Sequence, residues 1–185
     1  MDEGFCFFAT AIGSCAIAWR GPLIVAVQLP EETTQRAHAR MQRRMEGVES
    51  MGEATPPPFV AAIIARVQAL LEGERDGLMD VPLDMEGVPP FNQRVYEVAR
   101  AIPPGRTLTY GEVAAQLGDP GSARAVGQAL GHNPFAPIVP CHRILAAGGQ
   151  GGGFSANGGV ATKLRMLQIE RARFGAAPGL FDDWA

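Results

Sequence analysis

An acidic stretch rich in glycine and proline, Gly73 to Pro90, constrains this chain more than any other feature. It carries neither a helical nor a strand period, and it reads as a linker with a boundary near residue 88. The 185 residues then divide into two units, 1–88 and 89–173, followed by a tail, 174–185. Each unit is small enough to depend on their mutual interface. Charge changes sign across the divide. Residues 1–88 hold seven arginines and thirteen acids, whereas residues 89–173 hold eight arginines, Lys163 and four acids (Glu97, Glu112, Asp119, Glu170). The formal charge of −3 therefore hides a basic second half. A basic module beside an acidic one suits a polyanion on one side only, and a solvated surface explains the asymmetry equally well.

Apolar residues make up 46% and charged residues 19%, which excludes a disordered chain. No apolar run approaches the ~20 residues that a membrane-spanning helix needs. The N-terminus opens with Asp2 and Glu3 and does not read as a signal peptide. Three cysteines, an odd number, argue against a disulfide scaffold and for a reducing compartment.

Ser14–Trp19 and Leu23–Leu29 are apolar and β-prone, and Arg20-Gly21-Pro22 makes them a hairpin. Glu31–Arg44 reads as an exposed helix carrying four arginines, and Phe59–Leu71 as an apolar one. In the second half, Phe91, Val95, Val98, Ala99 and Ile102 form a helical stripe stopped by Pro103-Pro104-Gly105. Thr109 and Glu112 form a capping-box signature, so a helix is expected from Thr109 to about Leu117. A turn at Gly118–Gly121 and a second helix, Ser122–Leu130, complete a helix-turn-helix pattern, with Arg124 near the start of its second helix. A last helix is expected over Lys163–Ala172.

The chemistry concentrates at Pro140-Cys141-His142-Arg143, with aliphatic residues on both sides. A thiolate attacks soft carbon electrophiles well, so Cys141 is a candidate nucleophile. His142 is a candidate to take its proton, directly or through a water. Arg143 either favours the thiolate or anchors the loop, and Glu170 is a candidate to polarise the histidine. For a lone Cys-His pair the plainer reading is a buried cysteine beside a histidine satisfied by the backbone.

The neighbouring residues outweigh that plainer reading. Thr109-Tyr110-Gly111-Glu112, Ala123-Arg124-Ala125-Val126-Gly127, Gly131-His132-Asn133-Pro134, Val139-Pro140-Cys141-His142-Arg143-Ile144, Gly153-Phe154-Ser155 and Gly158–Lys163 occur in this order. Over residues 89–172 the series resembles the O6-alkylguanine-DNA alkyltransferases, also called methylated-DNA–protein-cysteine methyltransferases. The first half resembles the family's N-terminal domain only in size and in its strand-then-helix order. The fold class implied is α+β: a small N-terminal antiparallel sheet with helices, ribonuclease H-like by resemblance, then a mainly helical domain with the helix-turn-helix.

The resemblance implies a DNA-repair protein that flips O6-alkylguanine, mainly O6-methylguanine, out of duplex DNA. Cys141 would then accept the alkyl group irreversibly, once per molecule and without a cofactor. A Cys141–water–His142–Glu170 relay would make the thiolate. Tyr110 would sit at the flipped nucleotide, helping to rotate its phosphate and contacting the base. Tyr110 or Lys163 would assist the leaving guanine, with Lys163 alternatively stabilising the cysteine loop. Arg124 would fill the vacated space in the duplex, and the small Ala123, Ala125, Gly127 and Ala129 would let the helix approach the groove, unless they serve only helix packing. Asn133 would fix the turn before the cysteine loop, with Pro140, Arg143 and Ile144 supporting that loop. Phe154 and Ser155, among the glycines of 151–159, would form a lid over the base. The partner implied is double-stranded DNA containing O6-alkylguanine, bound by a monomer with no membrane association. The location implied is cytoplasmic, on the nucleoid in a prokaryote, or nuclear in a eukaryote.

The sequence departs from the family at some points. Phe154 stands where tyrosine is frequent, and the loop from Ser155 to Lys163 is longer than in some members. Cys6, Cys15 and His38 match no strong zinc spacing, so no metal is expected and the cysteines read as core. The tail Phe174–Ala185 reads as frayed, with Phe181 and Trp184 free to dock. The main competing reading is an alkyltransferase-like protein that binds lesions without reacting. Those relatives lack the reactive cysteine, so Cys141 argues against it. A plain helix-turn-helix regulator leaves the Pro-Cys-His-Arg segment without a purpose. A cysteine hydrolase needs an oxyanion hole and a distant histidine that the sequence does not offer.

Overall fold

The computed structural model describes residues 2–45, 51–147 and 159–173. Phe154, Ser155, the glycine stretch before Gly159 and the tail with Phe181 and Trp184 lie outside the described residues. Strands β1 (Glu3–Thr10), β2 (Gly13–Arg20) and β3 (Leu23–Gln28) form an antiparallel sheet in that order. The expected hairpin is β2–β3, with Arg20 opposite Leu23 and a bulge between Ala18 and Trp19. The sequence reading offered no element at β1, which pairs Cys6 with Ile17 and Phe8 with Cys15.

Both faces of the sheet are covered. Helix α2 (Pro58–Leu70) lays Val60, Ile63, Ile64 and Val67 on the face bearing Cys6, Phe8, Cys15, Ile17 and Trp19. Helix α1 (Thr34–Arg44) covers the other face, where Met41 meets Phe5, Ala16, Ala18 and Ala26. Double burial explains why β2 reads as a continuous apolar run and not as an alternation. Fully burying side chains such as Ile17 and Met41 is worth about 1.5–3 kcal/mol each. The start of α1 is set by Thr33, whose hydroxyl accepts from Arg36 N at 3.1 Å. The helix is exposed over most of its surface, as expected, but Ala37 and Met41 are buried.

The segment Gly73–Pro90 is a packed strap and not a free linker. Leu78 and Val81 are buried in the first core. Arg66 forks onto both Asp76 and Asp80, and Arg100 Nη2 donates to the carbonyls of Leu78 and Val81. Two apolar anchors and two arginines are enough to fix a stretch whose composition suggests freedom.

The second half begins with α3 (Pro90–Arg100), where proline in the first turn gives up no helical hydrogen bond. A two-residue strand, β4 (Leu108–Thr109), leads into α4 (Tyr110–Gln116). Thr109 caps α4, accepting from Glu112 N at 3.1 Å. A 3-10 turn, Pro120–Ser122, joins α4 to α5 (Ala123–Gly131). This helix-turn-helix pair packs Val113, Ala114, Val126 and Ala129 against Val95, Tyr96 and Ala99 of α3. Strand β5 (Ile144–Leu145) pairs in parallel with β4, and α6 (Val160–Ile169) follows. Helix α6 starts earlier and stops sooner than expected, so Glu170 is its C-cap. Ile138 and Met166 join the core of the sheet, so the two halves share apolar contacts. No helix among the described residues is long and apolar enough to cross a membrane.

Candidate active site

Pro140 leads into one 3-10 turn, Cys141–Arg143, and β5 takes up the chain at once. The turn sends three consecutive side chains inward: Cys141 is 7% exposed, and His142 and Arg143 are each 1% exposed. A buried guanidinium and a buried imidazole need partners, and Glu170 supplies both. Its Oε1 accepts from His142 Nε2 at 2.8 Å and from Arg143 Nη2 at 2.7 Å, while Arg143 Nε reaches Oε2 at 3.0 Å. Arg143 Nη1 donates to Ile102 O at 2.7 Å, and Gly105 N approaches Glu170 Oε2 at 3.4 Å. Gly105 has φ +88°, and a Cβ there would lie 2.7 Å from Arg75 Nη1 and 3.2 Å from Glu170 O. Glycine is thus required where the α3–β4 turn backs the carboxylate.

The electrostatics follow from this packing. Burial favours a neutral Glu170, but the facing His142 and the Arg143 fork outweigh it and hold the carboxyl at about 2. With an ionised carboxylate accepting from Nε2, the network assigns the proton of neutral His142 to Nε2. Nδ1 is then the free base, and it is buried with no hydrogen-bond partner among the described residues. Burial pulls the His142 pKa down despite Glu170, so the ring is neutral near pH 7. Burial also pushes the Cys141 thiol up; the Asn133 side chain, Lys163 and the backbone N–H groups of Cys141 and His142 act against that rise.

Asn133 ties the loop between α5 and the cysteine. Its Nδ2 donates to Val139 O at 2.8 Å, and its Oδ1 accepts from Phe135 N at 2.9 Å. Lys163, on α6, is buried; its Nζ donates to Ile144 O at 2.7 Å and stands 5.9 Å from the centre of the Tyr110 ring. Burial lowers Lys163 to about 8, with Cys141 opposing. Tyr110, the half-buried first residue of α4, is raised by burial and then by Cys141, so its hydroxyl stays protonated.

The fold therefore gathers Cys141, His142, Arg143, Glu170, Lys163, Tyr110 and Asn133, with Pro140 and Ile144 buried around them. Arg143 faces Glu170, so of its two sequence readings the anchoring one fits its contacts. Arg124 stands apart, exposed at the start of α5, with Ala123, Ala125 and Gly127 half-buried on the same helix. The sequence reading missed Ile102 and Gly105 as partners of the ionic pair. Pro103-Pro104-Gly105 was visible only as a helix stop. Cys6 and Cys15 lie in the sheet core, while His38 stacks at 4.3 Å against Phe7. Among the described residues no cluster of three or more His, Cys, Asp or Glu is placed to hold a metal.

A helix-turn-helix pair beside a buried thiol–imidazole–carboxylate array defines the class of this molecule. Residues 90–172 match the family model described as 6-O-methylguanine DNA methyltransferase, DNA binding domain. The methylated-DNA–protein-cysteine methyltransferase of Mycobacterium bovis is 37% identical over 172 residues, covering 92% of this chain and 94% of the relative. A DNA base-flipping protein of Thermus thermophilus is 45% identical over 106 residues, covering 57% of this chain and 69% of the relative. The crystal structure of Mycobacterium tuberculosis OGT in complex with DNA superimposes with a TM-score of 0.70 at 35% identity, covering 90% of this chain and 92% of that one. This chain belongs to the methylated-DNA–protein-cysteine methyltransferase family.

Proposed function

We propose that this chain repairs duplex DNA by moving the alkyl group of O6-alkylguanine, mainly O6-methylguanine, onto its own Cys141. The observation that carries this reading is the thiol set in one buried turn with an imidazole whose Nε2 is locked on Glu170. The proton of Cys141 passes through a water to His142 Nδ1. The sulfur attacks the alkyl carbon in line; the S–C bond forms as the C–O6 bond breaks, and the electron pair goes to the guanine. Tyr110, kept protonated by burial, donates to the departing base, so the proton gained by guanine balances the one lost by cysteine. Lys163 holds the cysteine loop through Ile144 O. The thioether is stable, so each molecule acts once.

The target base must leave the stack to reach a buried thiol. Arg124, exposed at the start of α5, fills the gap, and Ala123, Ala125 and Gly127 let α5 approach the groove. Asn133, Pro140, Arg143 and Ile144 support the pocket, and Phe154 and Ser155 complete it as a lid. The division at residue 88 separates a supporting N-terminal domain from the domain that binds DNA and reacts, with 174–185 as a tail. The protein works as a monomer in the compartment holding the DNA, the cytoplasm of a prokaryote or the nucleus of a eukaryote.

A duplex carrying one O6-methylguanine, titrated with protein, tests this. Lesion loss should rise linearly and stop at one lesion per molecule. A lesion bound at every ratio yet left intact would instead favour the alkyltransferase-like reading, in which the protein binds lesions without reacting.

A further inference from the structure

At the end of α5 away from Arg124, a pocket of about 360 Å³ is lined by Arg40, Arg43 and Arg44 of α1 and by Gly131, His132 and Asn133. The three arginines stand at i, i+3 and i+4, so they share one helix face. Arg40 pairs with Glu31. Arg44 Nη1 is committed to carbonyls, Val27 O at 2.9 Å and Pro134 O at 3.5 Å. Arg43 is exposed and has no carboxylate partner among the described residues. The carboxyl ends of α1 and α5, with Glu31, offset part of this charge. A third guanidinium remains. Burial lowers Arg44 to about 10, with the neighbouring Arg40 adding to the fall and Glu31 opposing it.

The pocket also lies in line with the DNA-facing side proposed for α5. Gly131 follows Arg124 by seven residues, close to two full turns, so both point from the same face. A Cβ added at Gly127 or Gly131 would meet nothing within 4 Å, so that face is open along its length. A rise of ~1.5 Å per residue puts the pocket mouth roughly 10 Å from the arginine along the helix axis. Duplex DNA carries a negative charge every ~1.7 Å of its own axis, so a groove seated on Arg124 brings phosphates to that distance.

We propose that this arginine pocket is a phosphate-binding site and that it takes a backbone phosphate of the duplex lying along α5. The inference rests on the reading of α5 as the helix that meets DNA. It gives the acidic N-terminal half a basic contact of its own with the nucleic acid. Free phosphate has the same chemistry, and the experiment separates the two sources.

Arg43→Gln removes the exposed guanidinium and leaves the buried array untouched. Duplex affinity across a salt series and reaction with free O6-benzylguanine are measured on the full chain. The variant should bind duplex about three- to tenfold more weakly at low salt, with the slope of log K against log salt reduced by about 0.9. Its rate on the free base should equal that of the wild type, and Arg43→Lys should restore most of the binding. Unchanged duplex affinity and slope in a variant that still reacts with the free base overturns the site. If inorganic phosphate raises the melting temperature of the wild type but not of Arg43→Gln, while duplex binding is equal, the pocket serves a free anion and the DNA assignment falls. A wild-type protein that takes no methyl group from a duplex containing O6-methylguanine strikes the alkyl-transfer reading instead.

Discussion

Two of the free cysteines, Cys15 and Cys141, are both buried, and comparing them separates burial from reactivity. Cys15 lies in the sheet core among Phe8, Ile17 and Ile63, with the Thr10 hydroxyl 3.8 Å away as a weak partner. Burial pushes its thiol up to about 12 and Thr10 barely opposes it, so it stays a neutral core residue. Burial pushes Cys141 up as well, but Asn133, Lys163 and two backbone N–H groups pull against it. A neutral histidine with a free Nδ1 is its neighbour in sequence. Burial makes a thiol reluctant to ionise in either place. What differs is the presence of groups that stabilise the thiolate and a base to take the proton.

The comparison breaks most sharply at the sulfurs themselves. Cys141→Ser should lose transfer altogether. Cys15→Ser should keep one alkyl group per molecule while losing about 1–3 kcal/mol of stability, because a hydroxyl replaces a thiol in an apolar site. Lesion removal and denaturant midpoints measured on both variants check this; retained transfer in Cys141→Ser contradicts it.

Removing the carboxylate should come next. Glu170→Gln leaves the Arg143 guanidinium buried without its counter-charge, which costs about 3–5 kcal/mol. Transfer should also fall, since His142 loses the partner that fixes its tautomer. A pH dependence accompanies this. The folded-state carboxyl, at about 2, lies below its ordinary value of 4.5, so the stabilisation is complete above pH 4.5 and is lost as pH falls toward 2. Unfolding midpoints of the wild type should decline through that window and those of Glu170→Gln should decline less; parallel curves would remove Glu170 as the source.

Smaller effects sharpen the contrast. Asn133→Ala strands Phe135 N and Val139 O at a cost of about 1–3 kcal/mol and makes Cys141 more like Cys15. Its rate of transfer against pH should shift to the alkaline side; an unshifted profile would limit Asn133 to holding the turn. Thr10→Val, at the other thiol, should change stability by no more than about 1 kcal/mol and leave transfer as it was.

Much of this contrast was legible in the sequence. Pro140-Cys141-His142-Arg143 singles out one cysteine by its neighbours, whereas Cys6 and Cys15 sit in apolar runs. The Thr109 cap and the prolines at 90, 103 and 104 mark the helix ends through local chemistry, which sequence reports directly. Strand β1 was not legible, because Phe5 and the half-buried Phe7 pack on the α1 face while Cys6 and Phe8 pack on the α2 face, so the apolar run shows no polar alternation. The strap was missed because Leu78 and Val81 are fixed by Arg66 and Arg100, contacts between positions far apart in the chain. The Arg143–Glu170–Gly105 arrangement is non-local in the same way. Glu170 could be named as a candidate, but its reach to His142 and Arg143 needed the fold.

The most direct test is to mix the protein with a duplex containing O6-methylguanine, measure intact mass and map the modified peptide. The account predicts one added methyl group, ~14 Da, on the peptide containing Cys141, with Cys6 and Cys15 unmodified. An unchanged mass, or a methyl group on Cys6 or Cys15, would contradict it.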